Sequence, residues 1–163
     1  MSRQMADPHI GMVSFQQALL KGIVDIHIVK PHINLFSHFD VPEPGENRLT
    51  YVRLDGDGKT VLAFVACVIN GHIDGIPVVS LGYAVPESMR NRGHAQAIMR
   101  DVIKDQIKQA GRSLYFETMV DVDNLASQRV SESVLEVARE ELVEVDSQRP
   151  AYRYTKRVDP IRD

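Results

Sequence analysis

The sequence predicts an α+β fold: a mixed, largely antiparallel sheet flanked by helices. Three observations carry this expectation. Between residues 49 and 85, three apolar runs rich in Val, Ile, Tyr and Phe are separated by tight-turn chemistry. From Ala95 the apolar spacing changes to that of a helix. After that helix a strand pattern returns, and a strand, helix, strand order with a crossover of this length places its two strands parallel.

Taken in order, residues 1–10 are polar with a Pro and are expected to be a mobile leader, the remainder (11–163) forming one domain. Ser14 is expected to cap a short helix bearing Phe15, Leu19 and Leu20, which Gly22 ends. Residues 23–29 alternate and read as a first strand, whereas 31–47, with VPEPGEN, read as a surface loop. The runs 49–54, 61–69 and 78–85 then form an antiparallel meander. Asp55-Gly56-Asp57-Gly58 and Asn70-Gly71 supply the positive φ of its hairpins. The middle run carries no charge and is expected to be the most buried. Ala95, Ile98, Met99, Val102, Ile103, Ile107 and Ala110 form the apolar stripe of a long helix that Gly111 closes. Residues 113–120 (SLYFETMV) return as a strand. Asn124 or Asp123 caps a further helix carrying Ala126, Val130, Val134 and Val137, and strands at 141–145 and 151–158 complete the chain.

The chain has 163 residues, enough for one domain with a continuous core. Apolar residues make up 44% and charged residues 25%, a globular balance, and a net charge of -3 gives no overall pull toward nucleic acid. The single cysteine, Cys67, can build neither an intrachain disulfide nor a cysteine zinc site, which fits a cytoplasmic location. No run reaches the roughly 20 apolar residues of a membrane span. His27, His32 and His38 match no zinc spacing, so no metal is expected.

The most informative stretch joins the strand at 78–85 to the long helix: Arg90-Asn91-Arg92-Gly93-His94-Ala95. The first N–H groups of a helix have no intrahelical partner and the macrodipole is positive there, so phosphate oxygens are favoured ligands. Gly93 and Ala95 keep side chains clear, and Arg90 and Arg92 add forked cationic donors.

Arg90 to Ala95 resembles the [QR]-x-x-G-x-[GA] acyl-CoA loop of the GNAT-type N-acetyltransferases, with LGYAVPESM before it similar to that family's approach strand. Asn124-Leu125-Ala126-Ser127-Gln128-Arg129-Val130 is similar to the N-x-A-S-x-R-[VL] helix opening of the branch that acetylates ribosomal-protein N-termini. The resemblance covers roughly residues 48–135. It departs at Ser131, where the family often has a tyrosine that protonates the thiol, and at Val134-Leu135-Glu136, where a Gly-Phe pair is common.

The resemblance implies an acetyl-CoA-dependent N-acetyltransferase. The pantetheine arm would bond the backbone at Tyr83, Ala84 and Val85, between two splayed parallel strands, and the pyrophosphate would lie on the N–H groups from Asn91 to Ala95, with Asn124 nearby. The acceptor would be a primary amine of a small molecule or a protein N-terminus, attacking the thioester directly. Members of the family are often dimers, which makes a homodimer a further expectation. Glu117, a carboxylate inside an apolar strand, suits a general base. By the same resemblance Ser127 is the donor to the departing thiolate, with Tyr152 and Tyr154 as outside alternatives. Each has an ordinary counterpart: Glu117 as a salt-bridge partner, Ser127 as a helix-start hydrogen bonder, Arg90 and Arg92 as surface charges. The two departures leave a non-catalytic, GNAT-shaped CoA-binding or protein-interaction module as the alternative.

Overall fold

A computed structural model describes residues 7–162. It contains α1 (Pro8–Leu20), β1 (His27–Ile28), β2 (Leu35–Glu43), β3 (Glu46–Leu54), β4 (Val61–Ile73), β5 (Ile76–Ala84), a 3-10 turn (Glu87–Met89), α2 (His94–Ala110), β6 (Leu114–Asp121), α3 (Leu125–Leu135), β7 (Glu140–Val143) and β8 (Pro150–Val158). The strands form an eight-stranded sheet in the order β1-β2-β3-β4-β5-β6-β8-β7. Its β5–β6 pair is parallel and its other neighbours are antiparallel, as the strand, helix, strand order requires.

Alternation along the central strands divides the core into two layers. Val65 and Cys67 of β4, with Val79 and Leu81 of β5, face α2, whose Ile98, Met99 and Val102 are fully buried. Phe64 and Ala66 face the other way, against Met12 and Phe15 of α1. The uncharged β4 is buried from Ala63 to Cys67 except for its outer end, as expected of the middle strand. None of the helices among the described residues is long and apolar enough to cross a membrane.

Four expectations need correction. The first helix starts at Pro8, not at Ser14. Asp7 Oδ1 accepts from the His9 N–H at 2.9 Å, and Pro8, with no N–H to leave unpaired, suits the first turn. Residues 8–10 of the expected leader are therefore helical, while residues 1–6 lie outside the described residues. The 31–47 loop is instead β2 and the start of β3. Pro42 sits where the ladder is irregular, between Asp40 and Glu43, and Gly45, at φ 82°, turns the hairpin. The strand expected at 23–29 shrinks to two residues. Finally, Asn70-Gly71 is not the turn between β4 and β5. Gly71, at φ 80°, lies at a register shift between Ile69 and His72, and the left-handed pair Asp74-Gly75 makes the turn.

Candidate active site

The parallel ladder between β5 and β6 has three pairs: Val78↔Tyr115, Val79↔Phe116 and Ser80↔Glu117. β5 nevertheless continues beside β4 to Ala84, and β6 beside β8 to Asp121. Each strand keeps its outer partner and gives up the inner one, so a gap opens with unpaired main-chain edges on both sides. A cavity of about 1020 Å³ occupies this region. Residues of β5 and β6, the starts of α2 and α3 and the β7–β8 hairpin line it.

At one end of the cavity the chain enters α2. The Arg90 N–H donates to Glu87 O, and the first helical bond runs from the Ala97 N–H to Gly93 O. No hydrogen bond from the N–H groups of residues 91–96 occurs among the described residues. Asn91 at φ 63° and Gly93 at φ 78° are both left-handed, and turn conformations of this kind are where successive N–H groups form anion-binding concavities. A Cβ placed on Gly93 would meet nothing within 4 Å, so the space over the turn is open. These features fit the pyrophosphate of an acyl-CoA. Arg90 lines the cavity; its Nε also reaches the Val85 carbonyl at 3.4 Å.

On the opposite wall, Asn124 caps α3, its Oδ1 accepting from the Ser127 N–H at 3.1 Å. The Ser127 hydroxyl makes no hydrogen bond among the described residues, and Ser127 lines the cavity. Its carbonyl accepts from the Tyr83 hydroxyl at 2.7 Å. Tyr83 OH also lies 2.9 Å from Ser131 Oγ, which in turn lies 2.8 Å from Thr118 Oγ1. Burial raises the Tyr83 pKa, while its bonds to Ser131 and Ser127 pull the other way.

Apart from Arg92, Glu117 and the two alternative tyrosines, every expected site residue lines the cavity. Glu117 stands at the last parallel pair, opposite Ser80, and is 5% exposed. Asn70 Nδ2 donates to its Oε2 at 3.1 Å, and Arg153 Nη1 lies 3.9 Å from its Oε1. Both of these partners line the cavity, so Glu117 lies behind its wall. Sequence reasoning missed them. Asn70 reads as a turn residue, and only the β6–β8 register, with Arg153 opposite Met119, puts the arginine on the face Glu117 occupies. Tyr154 is fully buried and donates to Glu132 at 3.0 Å, Tyr152 lies under the Arg139 guanidinium, and neither lines the cavity. The 31–47 segment does not line it either, and its Asp40 is engaged by Arg48.

No curated protein sequence matches the chain. Among solved structures, the NatC complex bound to Gag peptide and CoA superposes with a TM-score of 0.56 at 16% identity, covering 67% of this chain and 70% of that one. A ribosomal-protein-S5-alanine acetyltransferase from Vibrio fischeri gives 0.53 at 14%, covering 67% and 61%. An aminoglycoside acetyltransferase in complex with coenzyme A gives 0.51 at 13%, covering 67% and 65%. At these identities the likeness is one of fold. The family model described as Acetyltransferase (GNAT) family matches residues 25–136, which include the divergent strands, the left-handed turn and α3, and the chain belongs to that family.

Proposed function

We propose that the chain is an N-acetyltransferase that moves an acetyl group from acetyl-CoA to a primary amine by direct attack in a ternary complex. The observation that carries this reading is the gap beyond the Ser80↔Glu117 pair, which leads to the unpaired N–H groups of residues 91–96. The cradle would hold the pyrophosphate, and the unpaired edge of β5 at Tyr83 and Ala84, with Val85 beyond it, would bond the pantetheine amides. The amine nitrogen attacks the thioester carbon, the C–S bond breaks, and the proton lost by nitrogen ends on sulfur. A backbone N–H of β5 facing the gap stabilises the oxyanion.

Charge on the acceptor side supports a cationic amine. Asp7, Asp121, Glu140, Glu144 and Asp146 line the cavity against Arg149 and Arg153. Arg149 lies 3.0 Å from Asp121 and Arg153 lies 2.7 Å from Glu140. Among the described residues, Glu144 Oε1 is buried with no hydrogen-bond partner, an acceptor suited to an ammonium group. Structural neighbours include a complex bound to a peptide and CoA and an enzyme named for aminoglycosides, which supports an amine on either a protein N-terminus or a small molecule.

Glu117 is the proposed base. It sits where the strands part and would reach the amine through one water once Asn70 or Arg153 shifts. Glu117→Gln should lower kcat at neutral pH while leaving acetyl-CoA affinity within about twofold; an unaltered pH-rate profile removes it. The enclosure of Glu117 behind Asn70 and Arg153 favours a second reading, a module that binds CoA without turnover. Free-thiol release from acetyl-CoA with a panel of primary amines separates the two. Release above the hydrolytic background supports transfer, and tight binding without release supports the module.

A further inference from the structure

Past Ser80 and Glu117, no ladder bonds join β5 to β6, so the sheet itself does not set the width of the gap. Three side-chain hydroxyls cross it instead. They belong to Thr118 on β6, Ser131 on α3 and Tyr83 on β5, and the chain ends on the Ser127 carbonyl. Its direction follows by elimination. A carbonyl can only accept, so the Tyr83 proton goes to Ser127. Each hydroxyl has one proton, so Ser131 must donate to Tyr83, and Thr118 to Ser131. Ser131 is 0% and Thr118 1% exposed, so water cannot replace a missing link.

The chain ends on the residue whose own hydroxyl has no hydrogen bond among the described residues and whose side chain lines the cavity. Tyr83 thus holds the first turns of α3 against the strand bordering the gap, and the held segment carries Ser127. We propose that Tyr83 is a positioning residue for acyl transfer, its hydroxyl tying α3 to β5 across the gap and fixing the Ser127 hydroxyl at the cavity wall. There Ser127 donates a hydrogen bond to sulfur as the C–S bond breaks and sulfur takes the electron pair. The proton that completes the thiol is the one the amine loses, so Ser127 ends the step unchanged. This assignment rests on the acetyltransferase reading.

The test is a double-mutant cycle with an independent structural readout. Tyr83→Phe keeps the ring and removes the tie. It should lower kcat about tenfold with the KM for acetyl-CoA within about twofold, the signature of an effect confined to the reacting step. In a Ser127→Ala background the same change should cost less than about twofold, because the two act as one unit. Ser131→Ala, which removes the middle link with little change in volume, should give a smaller loss in the same direction and covers the case in which Tyr83→Phe fails to fold. Independent effects of Tyr83 and Ser127 that multiply would overturn the proposal. Amide exchange in the first turns of α3 should rise about tenfold in Tyr83→Phe whether or not an acceptor amine has been found, and unchanged exchange would refute the tie. If the native protein neither binds acetyl-CoA nor releases thiol, the acetyltransferase reading fails, and the exchange measurement still decides whether the tie exists.

Discussion

Replacing Gly93 by Ala separates what the glycine does for the backbone from what it does for a ligand. Its φ of 78° places an L-residue in the left-handed region, where a Cβ costs about 1–2 kcal/mol. The melting temperature should therefore fall by roughly 2–8 °C, at about 2–4 °C per kcal/mol for a domain of this size. The new methyl meets no protein atom within 4 Å, so no clash adds to that figure. On the ligand side the methyl projects into the space that the unpaired N–H groups of residues 91–96 border. A charge-assisted hydrogen bond contributes about 1.5–3 kcal/mol, so displacing one phosphate contact should weaken CoA binding by roughly 10–150-fold. Gly93→Asn is the control for strain, since Asn tolerates the left-handed region while still filling the space. Titration calorimetry with CoA and a thermal melt on each variant give the two quantities separately. Both variants should lose affinity, with Asn the less destabilised. Native affinity in both would show that phosphate does not sit on this turn.

Tyr51 is fully buried, donating to Asp105 at 2.6 Å and accepting from Gln106 at 2.9 Å, so Tyr51→Phe should cost about 1–3 kcal/mol in denaturant melts at neutral pH. Burial, reinforced by Asp105, pushes the Tyr51 pKa well above the ordinary tyrosine range. The stability linked to that shift is whole below about pH 10 and drains away as pH rises further, so the gap between native and Phe variant should narrow in alkali. Asp57 is held low by bonds from the Thr60 hydroxyl and the N–H groups of Lys59 and Thr60. Its contribution is present above the usual carboxylate range and disappears as pH falls through the depressed value, so Asp57→Ala should lower the melting temperature at pH 7 and converge with the native protein in acid.

Where local pattern and tertiary demand agree, the sequence foretold the structure. The helical stripe around Ile98, Met99 and Val102 and the strand at 113–120 needed only periodicity, because one face of each is buried. The N-caps divide on the same principle: Asn124 precedes a clear apolar spacing, whereas Asp7 precedes a helix with Val13 and Ile10 exposed beside its buried Met12 and Phe15, which blurs the period. β2 was hidden because Pro42 and Pro44 read as breakers, yet the irregular register absorbs the first and the turn the second. In the site, the turn from β5 into α2 was legible, since Gly93 stands between an apolar strand run and the first residue of a helical stripe. The neighbours of Glu117 were not. Asn70 reaches it from β4 and Arg153 from β8, and only strand order and register bring those segments together. The Tyr83 hydroxyl was equally hidden, since no spacing along the chain says that a β5 side chain reaches α3.

An open gap in the middle of a sheet has an energetic consequence. The inner edges of β5 from residue 81 to 84 and of β6 from 118 to 121 give up the ladder that their outer edges keep. A buried main-chain group without a partner costs about 1–3 kcal/mol, so these edges need water or a ligand against them. A ligand that bonds one edge while its diphosphate takes up the N–H groups at the start of α2 satisfies both sets at once. Because it binds only the folded form, it stabilises the protein by about 2.7 kcal/mol at a hundred times its Kd. CoA at that concentration should therefore raise the melting temperature by about 5–10 °C. Pantetheine at equal concentration lacks the diphosphate and should raise it far less. Equal shifts would move the main binding contribution from the helix start to the strand edge, and no shift with either compound would mean that the gap is not an acyl-CoA site.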